Sequence, residues 1–137
     1  MGRGNSGRGS SGPRATLRTQ SEHQSAVERL NSDKYSDGTY DISTLQQVSY
    51  NQGYQVTFCQ IGDNYSRSEY AEKVNEFLAV SSDGKTLAGK FEGTPEISFH
   101  VNDLQTALAL ARKYNQISIW DWANDTDIST GGTGRRR

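Results

Sequence analysis

The chain predicts an α+β domain of the split βαβ, ferredoxin-like kind, and three observations lead there. Tyr54, Val56 and Phe58 alternate with Gln55, Thr57 and Cys59 in the two-residue period of a half-buried strand. Two later segments repeat apolar residues at helical spacing, Tyr70, Val74, Phe77 and Leu78 in the first and Leu104, Ala107, Leu108 and Ala111 in the second. Further extended runs fall between and after them, so the order reads strand, helix, strand, strand, helix, strand.

Ahead of this core pattern, Ser21 with Gln24 in the reciprocal position predicts the cap of a short helix, with Ala26, Val27 and Leu30 as its apolar stripe. Asn31, Ser32 and Asp33 stop it. After the Asp37-Gly38 turn signal, residues 39–45 read as a short strand of imperfect alternation. Gly62, Asp63 and Asn64 end the strand that begins at Tyr54, and Ser66 or Ser68 caps the helix that follows to about Ser81. Asp83-Gly84 marks the next turn. Residues 87–92 and 96–101 then form a hairpin joined by Gly93, Thr94 and Pro95. In the second arm Ile97, Phe99 and Val101 face inward, and Glu96, Ser98 and His100 face outward.

Asn102 or Asp103 caps the last helix, which carries Arg112 and Lys113 in its final turn and stops at Asn115. A final strand covers residues 116–120. Val56, Phe58, Phe99, Ile117 and Ile119 are the sheet residues expected under the two helices.

At this point the residues resemble a family of uncharacterised small domains of bacteria and their phages. The resemblance spans about half the chain. It rests on Val56-Thr57-Phe58 with the helix of residues 64–76, on residues 93–101, and on residues 109–119. The family shows a small-residue or Asn-Pro turn after its first strand, where this chain has residues 59–63 as Cys, Gln, Ile, Gly and Asp. The family has no established activity, so the resemblance implies the fold and a phage or mobile-element origin, and it implies no mechanism.

The domain is expected to span residues 21–127, between a disordered Gly/Ser/Arg segment at 1–20 and a flexible basic tail at 128–137. Charge divides along the same lines. Seven arginines lie in the two ends: Arg3, Arg8, Arg14, Arg18, Arg135, Arg136 and Arg137. Residues 21–134 keep the other 8 Lys and Arg against all 16 Asp and Glu, a balance of −8. Basic ends around an acidic body speak to partners more than to fold.

A single cysteine excludes an intramolecular disulfide and suits a reducing cytoplasm. No run approaches the length of a membrane span, and no apolar signal core opens the chain, so a cytoplasmic protein without membrane attachment is expected. His23 and His100 are the only histidines, and neither sits in a metal-binding or nuclease spacing. Gly84-Lys85-Thr86 lacks the earlier glycine of a phosphate-binding loop. Hence no catalytic residue, cofactor or metal is assigned.

Cys59 alternates onto the outer face with Ser98 and His100, as an ordinary semi-buried cysteine, and His100 reads as a solvent-facing strand residue. Trp120 and Trp122 also point to the face opposite Ile119. They form a contact surface, unless the N-terminal helix or the 39–45 segment packs over them.

Two functions follow from these features. The first is a non-enzymatic accessory factor, phage- or mobile-element-encoded, that binds a host protein through Glu96, Gln116, Trp120 and Trp122. Glu96 and Gln116 are assigned architecture or recognition, at strand starts that need not bring their side chains together. The second is a nucleic-acid-binding accessory protein that uses the seven terminal arginines on phosphates. An RNA-binding sheet is disfavoured because Phe58 and Phe99 fall on the inner face.

Overall fold

A computed structural model describes residues 14–32, 34–91 and 95–134. Its elements run α1 (Thr19–Leu30), β1 (Gly38–Asp41), β2 (Tyr54–Gln60), α2 (Arg67–Leu78), β3 (Leu87–Lys90), β4 (Glu96–Val101), α3 (Leu104–Lys113), β5 (Ser118–Asp121) and β6 (Thr126–Ser129). This is an α+β chain with three helices and one six-stranded sheet in the order β1-β3-β4-β2-β5-β6. Every paired strand runs antiparallel to its neighbour.

Alternation gives the sheet two unlike faces. Val56 opposite Phe99 belongs to the helix side, where Phe58, Phe77, Tyr70 and Phe99 are almost wholly buried. Phe77 of α2 stacks on Phe99 with ring centroids 4.9 Å apart, and Tyr114 closes the cluster at 5.1 Å from Phe77. Burying side chains of this size is what holds two short helices against the sheet. On the other side Gln55 stands in register with both His100 and Trp120, and Trp120 with Asp127.

Helix ends follow local chemistry, with one exception. Ser66 and Glu69 form a reciprocal capping box at α2, and the Asp103 carboxylate accepts from Thr106 N at 2.8 Å at α3. Ser21 does not cap α1. The helix begins three residues earlier with Arg18 at the cap position and no side-chain cap, and the Ser21 hydroxyl donates to Arg18 O. The His23 ring meets the Tyr70 hydroxyl of α2 at 2.8 Å, which packs the two helices together. α1 therefore lies against α2 and not over the tryptophans.

Three further expectations are corrected. A β-bulge between Thr57 and Cys59 inserts one residue, so Cys59 pairs with Ile97 and turns to the buried helix side, not outward with Ser98. Ile117 is 60% exposed because it precedes β5 in the connection from α3, so it is not a core residue. Ile128 and Ser129, assigned to the tail, belong to β6, where Ile128 pairs with Ile119. Beyond them Thr130 and Gly134 donate backbone hydrogen bonds to Ile117 O and Asn115 O.

Candidate functional site

The outer face is covered at one end and open at the other. Residues 42–53 double back beside β1, with Val48 N donating to Thr39 O at 2.9 Å. They bring Tyr50 flat onto His100, ring centroids 3.8 Å apart. His100 is only 3% exposed, contrary to its solvent-facing assignment, because this connection lies over it. Gln52 O sits 2.6 Å from Nε2, and a carbonyl can only accept, so Nε2 donates and Nδ1 faces the Ser82 hydroxyl at 2.5 Å. Both ring nitrogens are thus occupied in fastening two loops to β4. Tyr50 completes the fastening by donating to Asp83 at 2.7 Å, and burial together with that carboxylate pushes its phenol well above the usual range.

Trp122 abuts this covered end, its ring 5.4 Å from Tyr50 in an edge-on arrangement. The turn after β5 holds it there. The Asp121 carboxylate accepts from Ala123 N at 3.1 Å and Asn124 N at 3.3 Å, while Trp122 N donates to Gly53 O at 3.1 Å. Asp125 takes a left-handed backbone, φ 55°, before the chain turns into β6. Among the described residues, Trp122 Nε1 is the buried side-chain polar atom without a hydrogen-bond partner.

Next to it the face opens into a groove of about 540 Å³. Trp120 and Trp122 line it with Phe91, Glu96, Asp125 and Asp127. Phe91 is 57% exposed and lies over Gly89, whose missing side chain leaves room for the ring. Glu96, Asp125 and Asp127 are exposed, and none of the three is in an ion pair among the described residues. Among the described residues that line this groove, none is basic.

A second cavity of about 380 Å³ adjoins the groove, and Glu96 and Thr57 line both. Gln116 lines this second cavity with Glu96, so the two residues share a site that their sequence positions did not require. They do different work within it. Gln116 Nε2 donates to Phe58 O at 3.3 Å, beside the bulge. Glu96 accepts from the Gln60 and Thr57 side chains; desolvation nevertheless raises its carboxyl above the usual carboxylate range.

Of the arginines assigned to nucleic acid, Arg14 and Arg18 are exposed, the first in the segment before α1 and the second at its cap. Arg3, Arg8, Arg135, Arg136 and Arg137 lie outside the described residues. Among the described residues no helix is long and apolar enough to cross a membrane, and no group of three His, Cys, Asp or Glu side chains is placed to hold a metal ion.

Alternation around Trp120 is enough to place both indoles on the outer face, but Phe91, Asp125 and Asp127 escape a reading of the sequence. Phe91 falls at the end of a strand, and the Thr126–Ser129 strand straddles the expected boundary between domain and tail at residue 128. The paired Asp residues around an Asn-Asp turn signal, directly after two tryptophans, are the cue that finds a hairpin there. No family model matches the chain, and no curated protein or solved structure matches it either.

Proposed function

We propose that this chain is a non-enzymatic accessory factor that binds a partner protein on its outer sheet face, with Trp120, Trp122 and Phe91 as the anchoring side chains. The observation that carries the reading is the open groove of about 540 Å³, lined by exposed Phe91 and the half-buried Trp120 and Trp122, beside a face that the 42–53 connection covers elsewhere. Aromatic anchors in a pocket bordered by polar groups are the usual energetic centre of a protein interface. Glu96 belongs to the groove's edge, and Gln116 supports the adjoining bulge. The resemblance to small domains of bacteria and their phages suggests a phage- or mobile-element-encoded factor acting on a host protein. The four inner strands, in the order β3-β4-β2-β5 with α2 and α3 on one face, fit the split βαβ, ferredoxin-like reading with β1 and β6 added at its edges.

Affinity capture from bacterial lysate by the full chain tests the proposal, alongside Trp120→Ala and a form with its seven terminal arginines replaced by Gln. A specific captured protein, lost on Trp120→Ala with an unchanged melting transition and largely kept without the arginines, is the expected result. No enrichment in any form, or capture indifferent to Trp120, overturns it.

A further inference from the structure

Resting on that docking reading, we propose that the groove takes an arginine-bearing polypeptide segment, one guanidinium lying on the Trp120 indole with Asp127, its register partner on β6, and the neighbouring Asp125 accepting its hydrogen bonds, and a second basic side chain reaching Glu96 at the far end of the groove. The charge of the groove carries the argument. Three exposed carboxylates line one concave surface with two indoles, and no basic side chain among the described lining residues offsets them. The ion pairs among the described residues, Lys85 with Asp41 and Lys113 with Glu76, lie elsewhere.

A planar, weakly hydrated guanidinium suits this combination better than an ammonium, because it stacks on an aromatic face and presents donors in a fork to carboxylates. Gln55 and Ser118 add neutral polar groups along the same groove, able to meet the backbone of an extended segment. The excess of eight negative charges over residues 21–134 would draw such a segment in from a distance. The arginines at the chain's own ends have the same chemistry, so they compete for the groove, and a test must remove that competition.

Trp120 and Trp122 are the only tryptophans, so intrinsic fluorescence of the full chain reports on the groove directly. The probe is a blocked synthetic peptide of alternating Arg and Gly, with Lys-Gly and Glu-Gly counterparts, titrated at two salt concentrations into the full chain and into the form whose seven terminal arginines are Gln. The Arg-Gly peptide is expected to give a saturable spectral change, tighter without the terminal arginines and weaker at high salt. Lys-Gly should bind more weakly, and Glu-Gly should not bind. The exposed pair Asp125→Asn and Asp127→Asn should weaken binding roughly five- to tenfold, and Trp120→Ala should abolish saturable binding followed by calorimetry.

Two results overturn the proposal: no saturable change in either form, or equal response to Arg-Gly and Glu-Gly. Failure here is separable from failure of the docking reading. If a captured partner still depends on Trp120 while the Arg-Gly peptide is ignored, the groove stands as the interface and only the chemistry of its occupant falls.

Discussion

At the scale of single residues, the buried polar groups make the sharpest predictions. Burial lowers the His23 imidazole from its ordinary 6.5 to about 4, so the folded chain holds it neutral where the unfolded chain protonates it. The unfolded state then binds more protons between these values, and stability falls as pH drops from about 6.5 towards 4. The full contribution, about 3 kcal/mol, is present above pH 6.5. Urea unfolding at pH 7 and pH 4.5 should show this loss, and His23→Gln should remove much of the difference between the two. Gly53 supplies a second case. Its φ of 82° is a left-handed conformation, and a Cβ there would stand 2.5 Å from the His100 ring. Gly53→Ala should cost about 2 kcal/mol or more in thermal or urea unfolding, since both strain and clash oppose it.

Elements reveal which parts of the sequence were legible. Strand β2 and helices α2 and α3 could be read because their apolar residues follow one period and their caps are local: Ser66 with Glu69, and Asp103 with Thr106. Ser66→Ala should lower stability by about 1 kcal/mol, measured by urea unfolding, through loss of that cap. What escaped were features decided by pairing partners. Cys59 could not be oriented from alternation because the bulge is a property of β2 against β4. His100 could not be recognised as buried because its cover, Tyr50 and Gln52, comes from a connection that has no period of its own. Strand β6 is exposed along most of its length, with Ile128 its one apolar residue, and gains its place by pairing with β5. In the candidate site this left the tryptophans legible and the carboxylates opposite β5 hidden.

Across the whole molecule, the helices protect one sheet face and the 42–53 connection protects part of the other. The remaining open part coincides with the aromatic and acidic side chains of the groove. Charge segregation reinforces the division, since the seven arginines in the ends surround a body with eight excess negative charges. Raising salt should therefore slow association with a charged partner more than it speeds dissociation, a split that surface plasmon resonance resolves.

The central claim is that Trp120 and Trp122 lie under the partner, and acrylamide quenching of their fluorescence in the complex tests it most directly. With a tryptophan-free peptide from the captured protein bound to saturation, the quenching constant should fall by about half or more, as expected where a partner excludes water from an aromatic anchor. An unchanged quenching constant with the peptide demonstrably bound would place the interface elsewhere and contradict the account.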